Sequence, residues 1–109
     1  MVEMQSNRPP LYEWRDAMLS PRGPKCSTTR LVLLVLMTWA GSDMLAWPTQ
    51  EAIARRSALS IRAVREHLAK AEAEGWILHG VRHSRRSGWL AHTYKMRIPE
   101  LHDQLTEAA

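Results

Sequence analysis

The stretch from Pro48 to Trp76 constrains the fold of this chain more than any other part of the sequence. It holds two amphipathic helical patterns that only a few residues separate. Thr49 can cap the first helix, because its hydroxyl accepts a hydrogen bond from a free backbone N–H of the first turn. Ser60 can cap the second helix, predicted over residues 61–74, and Gly75 can end it because glycine enters the left-handed conformation without strain. Two short helices joined by so tight a turn must cross steeply.

The apolar positions of the two helices indicate which faces are buried. Ile53 and Ala54 begin an apolar face in the first helix, and Leu59 continues it at the turn. In the second helix, Val64 and Leu68 follow at helical spacing. The arrangement is typical of a helix-turn-helix.

This segment resembles the winged helix-turn-helix module of bacterial and phage DNA-binding proteins. The residues that carry the resemblance are the apolar, turn and strand-entry positions Ile53, Ala54, Leu59, Ser60, Val64, Leu68, Gly75, Trp76, Ile77 and Leu78. The resemblance implies an α+β fold: a three-helix core with a two- or three-stranded β-wing, to which this chain adds an N-terminal helix. One position departs from the family, which usually has glycine where this chain has Ala58. If that backbone is left-handed, alanine costs up to about 1 kcal/mol there.

Length and composition predict one small domain. A chain of 109 residues, 45% of them hydrophobic, is ordinary for a globular domain with one modest core. We expect an N-terminal arm with a short helix over 1–26, the winged helix-turn-helix domain over 27–98 and an acidic C-terminal tail over 99–109. The longest apolar run, 31–37, is too short to span a bilayer. The lone Cys26 and the absence of a signal-peptide pattern favour a cytoplasmic protein. The resemblance to DNA-binding proteins implies association with the nucleoid.

Two further helices are predicted before the helix-turn-helix. Residues 11–19 form an amphipathic helix that must bury Trp14 against something. The next helix, capped by Ser27 or Thr28 and running to about Ala40, is apolar nearly all round and must be buried on most sides. One side is expected to pack on the helix-turn-helix pair. The other needs a cover, from the helix over 11–19 or from a second copy of the chain.

Beyond Gly75 the period of the apolar pattern changes from helical to two, which predicts a β-hairpin. Its strands are expected over 76–81 and 89–98, with the polar, basic loop 82–88 between them as the wing. A short edge strand is expected over 44–47. Core and hairpin packing, rather than base stacking, is the expected role of the tryptophans Trp14, Trp39, Trp47, Trp76 and Trp89, with Trp89 beside the wing loop as the one candidate exception.

The resemblance implies that the second helix of the pair enters the major groove of double-stranded DNA. The residues of this helix that are predicted to face the DNA are Ser60, Arg62, Ala63, Arg65, Glu66 and Lys70. Arg62 and Arg65 are long enough and suitably charged to read guanine, and Glu66 can accept from cytosine or pair with Lys70. Ile61 is either a core residue or an apolar contact for a thymine methyl group, and the core is favoured.

Charge adds a second line of support for an anionic partner. The chain has a net charge of +4, and residues 76–98 contain no acidic residue. The wing residues predicted to contact DNA are Arg82, His83, Arg85 and Arg86. The first helix of the pair is predicted to contact phosphates through Thr49, Arg55 and Arg56.

No pattern in the sequence predicts catalysis. His79 and His83 lie about 13 Å apart if the chain is extended, too far to share a metal ion. The sequence has no cysteine cluster and no glycine-rich phosphate loop. We therefore predict no enzyme activity, cofactor, metal, membrane partner or small-molecule substrate.

The sequence predicts a non-catalytic, sequence-specific binder of double-stranded DNA that forms a homodimer. Within the family, the arrangement and the small size resemble those of phage and mobile-element proteins, and the sequence does not separate a small transcriptional regulator from a replication-initiation module. The alternative is a winged-helix protein–protein interaction module, for which the apolar stretch 31–37 offers an interface.

Overall fold

The structure, a computed structural model, describes residues 10–83, 88 and 90–99. The described part contains four helices and three strands: α1 Pro10–Met18, α2 Ser27–Met37, β1 Leu45–Ala46, α3 Gln50–Ser57, α4 Ile61–Ala73, β2 Ile77–His83 and β3 Leu90–Met96. This order confirms the predicted α+β winged helix-turn-helix fold. Within these ranges, no helix is long and apolar enough to cross a membrane.

Side-chain caps and a left-handed turn set the geometry of α3 and α4. The Thr49 hydroxyl accepts from the backbone N–H of Ala52 at 3.0 Å, and the Ser60 hydroxyl accepts from that of Ala63 at 3.1 Å. Both predicted caps are confirmed. Ala58 ends α3 in the left-handed conformation, with φ 60° and ψ 32°. The turn therefore keeps the backbone that favours glycine, and alanine costs up to about 1 kcal/mol there.

Gly75 turns the chain from α4 into the hairpin. Helix α4 ends at Ala73, one residue before the prediction, and Gly75 follows with φ +91°. A Cβ at Gly75 would lie 3.4 Å from Cγ of Pro99. Strand β2 begins two residues later at Ile77. The predicted role of Gly75 is confirmed.

Both ends of α2 differ from the prediction. Ser27 is the first helical residue, and Cys26 stands at the N-cap without a side-chain capping bond, so a cap at Ser27 or Thr28 is wrong. The helix ends at Met37 rather than Ala40. Beyond that point the backbone N–H groups bond to carbonyls three residues back, which tightens the chain into a turn.

Helix α2 lies at the centre of the core, in contact with α1, α3 and α4. Helix α1 packs against α2, and its Trp14 is fully buried. The Trp14 indole N–H lies 3.1 Å from the carbonyl oxygens of both Trp76 and Arg97. The sequence left two candidates to pack on the free side of α2, the N-terminal helix and a second copy of the chain. The N-terminal helix of the same chain does pack on it.

The strands form an antiparallel sheet in the order β1–β3–β2. Strand β1 pairs Leu45 with Lys95 at the edge of the sheet, as predicted. Strand β2 is longer than predicted. Arg82 pairs with Ala91 and His83 with its own partner on β3, so these two residues belong to the strand rather than to the wing loop.

Among the described hairpin residues, those that belong to the core lie at its base. Tyr94 and Met96 of β3 are buried beside Ile77 of β2. Further along, Val81 is 57% and Leu90 is 63% exposed, although the alternation of side chains continues. The outer half of the hairpin therefore extends beyond the helices.

Candidate nucleic-acid interface

The exposed face of α4 is the one that the sequence predicts. The exposed residues there are Arg62, Arg65, Glu66 and Lys70, with the cap residue Ser60 at the start and Ala63 half-buried. The opposite face carries Val64, Leu68 and Ala71, which are buried in the core. The helix thus presents two arginines to solvent while its apolar stripe fixes its position.

Arg65 is held by the first residue of α3. Its Nε donates to Oε1 of Gln50 at 2.7 Å. The two residues are 15 positions apart and stand on different helices, so the 3.6-residue period of a helix does not connect them. The sequence offers no signal for Gln50, and only the crossing of α3 and α4 brings the pair together.

A groove of about 530 Å³ separates the start of α4 from the hairpin. Ile61 and Arg65 line it on the helix side, and Leu90 and His92 line it on the side of β3. Ile61 is 37% exposed at this groove, so the preference for a core position is wrong. As the first residue of α4, it stands at the end of the helix that opens onto the groove.

The two arginines of α3 differ in their contacts. Arg55 and Arg56 are both exposed. Arg56 donates from Nη1 to the Thr38 hydroxyl at 2.6 Å, and its guanidinium lies 3.9 Å from the centre of the Trp39 ring. Arg56 therefore links α3 to the turn after α2, in addition to any contact with a phosphate.

On the hairpin, Arg82 stacks on Trp47, the residue after β1. The guanidinium carbon lies 4.0 Å from the centre of the indole ring. Trp47 is 53% exposed, so of the predicted core and hairpin packing it shows the contact with the hairpin and not a core position. The reason is the alternation along the strand: Ala46 faces the core, and the next residue faces away from it.

Part of the predicted wing lies outside the described residues. Arg85, Arg86 and Trp89 fall there, whereas His83 is described and is exposed at the end of β2.

Two histidines meet across the hairpin. Nε2 of His79 lies 2.9 Å from Nδ1 of His92, and both rings lie near that of Tyr94. The pairing of β2 with β3 brings together residues that are 13 positions apart, whereas His83 is placed elsewhere on β2. In the described ranges, no group of three or more His, Cys, Asp or Glu side chains is placed to hold a metal ion.

A small cavity of about 140 Å³ lies behind α4, between Arg65, Gln50, Glu72 and Tyr94. Among the described residues, the buried Tyr94 hydroxyl has no hydrogen-bond partner of good geometry. Burial raises the pKa of Tyr94, the side chain of Gln50 opposes this, and the charge of Glu72 adds to it. The hydroxyl is therefore neutral at pH 7.

The comparison with protein families agrees with this geometry. The model of a helix-turn-helix domain family matches residues 27–77, from the start of α2 to the start of β2. Protein YmfN of Escherichia coli (strain K12) is 30% identical over 97 residues, which is 89% of this chain and 20% of that protein. The chain thus spans about a fifth of the length of this relative.

A solved structure, the crystal structure of the predicted DNA-binding transcriptional regulator from E. coli, has 18% identity and a TM-score of 0.42. The comparison covers 99% of this chain and 95% of that one. The match over residues 27–77 and the observed fold together confirm the winged helix-turn-helix resemblance.

Proposed function

We propose that this chain, whose residues 27–77 form a helix-turn-helix domain, binds double-stranded DNA sequence-specifically and without catalysis. The observation that carries the proposal is the exposed face of α4, where Arg65 lines a groove that the hairpin closes on its other side. The major groove of DNA admits one α-helix, and arginine can donate two hydrogen bonds to guanine.

We assign different tasks to the two basic elements. Arg62 and Arg65 of α4 contact base edges. The phosphates are bound by residues at the helix starts, on α3 and on the wing: Thr49, Ser60, Arg55, Arg56, Arg82, His83, Arg85 and Arg86. Contacts of the first kind specify a sequence, whereas contacts of the second kind position the protein on any DNA.

The biological setting that we propose is a small transcriptional regulator or a replication-initiation module of phage or mobile-element type, acting at the nucleoid in the cytoplasm. Its relative in E. coli is about five times longer than the matched region. Any activity of such a larger protein lies outside this proposal, which concerns DNA recognition by the winged helix alone.

We also propose that the chain binds DNA as a homodimer, because most operators have two-fold symmetry. Trp14 does not require a second copy, since its own chain buries it. Sedimentation at micromolar concentration, with and without DNA, is expected to show a species of twice 12.5 kDa. A 12.5 kDa species under both conditions would remove the dimer and leave DNA binding intact.

The test of DNA recognition compares α4 with the hairpin on a site selected from random DNA and on unrelated DNA. Arg65→Ala is expected to lose about 1–3 kcal/mol on the selected site and much less on unrelated DNA, because it removes a base contact. Arg82→Ala should weaken both by similar factors and lower the slope of log affinity against log salt by about one. The double change of Arg85 and Arg86 to Ala should lower that slope by about two.

Arg22→Ala is the matched control for loss of one positive charge. Arg22 is exposed in the connection between α1 and α2 and does not line the groove. Its replacement should change neither the discrimination between sites nor the salt slope. If Arg65→Ala discriminates sites as wild type does and the wing variants keep their salt slope, α4 and the hairpin do not read DNA.

A protein-interaction module is the second candidate, and exposed apolar side chains on the hairpin favour it. Leu78, Val81 and Leu90 are all more than half exposed. An interface of that kind depends on buried apolar area and responds little to salt, whereas DNA affinity falls steeply as salt rises. Binding to DNA that is weak and insensitive to salt would therefore favour a protein partner.

A further inference from the structure

The two arginines on the exposed face of α4 are not equally free. Nε of Arg65 donates to Oε1 of Gln50 at 2.7 Å. Arg62, three residues earlier, makes no hydrogen bond or ion pair within the described part of the chain. The same helix therefore carries one arginine that is held by a neighbouring element and one that is not.

The hydrogen bond to Gln50 leaves the terminal nitrogens of the Arg65 guanidinium available for a base. A guanidinium has five N–H donors, and Gln50 accepts only the one on Nε. Nη1 and Nη2 keep the pair of donors that matches O6 and N7 of guanine. Because a guanidinium only donates, the atom of Gln50 that faces it must be the amide oxygen.

Gln50 is itself well fixed. It is the first residue of α3, immediately after the Thr49 cap, and it is half-buried. Its side chain lines the small cavity behind α4 together with Leu68 and Tyr94. Its backbone is set by the start of one helix, and its amide reaches the other helix.

We propose that Gln50 is a positioning residue that sets the orientation of Arg65, so that base reading by α4 depends on the first residue of α3. The inference rests on the proposed DNA-binding function. An arginine that is already held loses less conformational freedom on binding than a free one. Gln50→Ala leaves the charge of Arg65 in place and removes the acceptor that orients it.

The first experiment is a double-mutant cycle with wild type, Gln50→Ala, Arg65→Ala and the double variant. The measured quantity is the ratio of affinities for a selected site and for unrelated DNA. Gln50→Ala is expected to lower this ratio about 2- to 10-fold, as expected for the ordering of one long side chain. In the Arg65→Ala background the same change should have no further effect. An equal effect in both backgrounds would overturn the proposal, because Gln50 would then act on DNA directly.

The second experiment needs no DNA. In the NMR spectrum of the free protein, the Nε–H of Arg65 is expected to exchange with solvent several-fold more slowly than that of Arg62, which serves as an internal reference. Gln50→Ala should remove this protection, and Gln50→Glu should restore it because a carboxylate also accepts from Nε. Equal exchange at Arg62 and Arg65 in the wild type would overturn the proposal.

Glu51→Ala is the matched control, since Glu51 is the exposed neighbour of Gln50 on the first turn of α3. It should leave the exchange at Arg65 unchanged. The two experiments also separate failure of the function from failure of the inference. If neither Arg65→Ala nor Gln50→Ala loses sequence discrimination, base reading by α4 is refuted. The exchange rates alone decide whether Gln50 holds Arg65.

Discussion

Helix α4 and the hairpin line the same groove from opposite sides, but different forces position them. The underside of α4 is anchored by Val64 and Leu68, which are buried in the core. Of the described hairpin residues, those around Tyr94 at the base are buried, whereas Val81 and Leu90 further out are largely exposed. Packing therefore sets the orientation of the helix, whereas strand pairing and stacking set that of the outer hairpin. A change in the core should disturb both elements, and a change in the outer hairpin only one.

The largest expected effect comes from the anchor of the hairpin base. Trp14→Ala removes a fully buried indole and its donation to the carbonyls of Trp76 and Arg97. We expect the free energy of unfolding to fall by about 3–5 kcal/mol in urea denaturation. Tyr12→Ala, an exposed aromatic on the same helix, should cost less than about 0.5 kcal/mol. If Trp14→Ala costs no more free energy of unfolding than Tyr12→Ala, α1 does not anchor the hairpin.

The link between α4 and the hairpin comes next. Gly75→Val places a β-branched residue at φ +91°, with its Cβ 3.4 Å from Pro99, and should cost about 1–3 kcal/mol. Gly41→Ala is the control, because its new Cβ would meet only the carboxylate of Asp43 at 3.3 Å and its φ is ordinary. It should change stability by less than about 0.5 kcal/mol. Thermal unfolding of Gly75→Val at the wild-type temperature would contradict the left-handed end of α4.

A gain of stability is expected in the turn between α3 and α4. Ala58→Gly relieves a left-handed alanine at φ 60° and should raise the free energy of unfolding by up to about 1 kcal/mol. Ala69→Gly, at an exposed position inside α4, should lower it by about 1 kcal/mol. Opposite signs in chemical denaturation would show that backbone conformation decides the effect of glycine in this domain. A loss in both would contradict it.

The smallest effect is expected at the base of the hairpin. Tyr94→Phe removes a buried hydroxyl without a good partner among the described residues, so stability at pH 7 should change by less than about 1 kcal/mol. Burial raises the pKa of Tyr94 in the folded chain above its ordinary value of 10.0. The contribution of the Tyr94 hydroxyl to the stability of the fold is therefore complete below pH 10.0. That stabilisation is lost as the pH rises through the folded pKa.

The pH dependence of unfolding tests this assignment. Denaturation above pH 10 should show a loss of stability in wild type that Tyr94→Phe does not share. Tyr12→Phe keeps Tyr94 and should retain the loss. Parallel curves for wild type and Tyr94→Phe would show that the phenol of Tyr94 does not resist ionisation.

Local patterns in the sequence were enough to predict the helix-turn-helix and the exposed face of α4. The caps at Thr49 and Ser60, and the stop at Gly75, depend on bonds and backbone conformations within one turn of the chain. The faces of α4 follow from a period of 3.6 residues. The same reasoning failed at the ends of α2, where several polar residues offer competing caps and the chain tightens beyond Met37.

Tertiary structure alone decided which side chains of the candidate interface touch one another. Gln50 holds Arg65 from another helix, Trp47 carries Arg82 from beside another strand, and His92 meets His79 across the hairpin. These partners are 13 to 35 positions apart, beyond the reach of any helical or strand period. Their meeting depends on the angle at which α3 crosses α4 and on the register of the sheet. Those quantities are set by how the whole core packs, because a local pattern specifies the face that an element buries but not the residue that it will meet there.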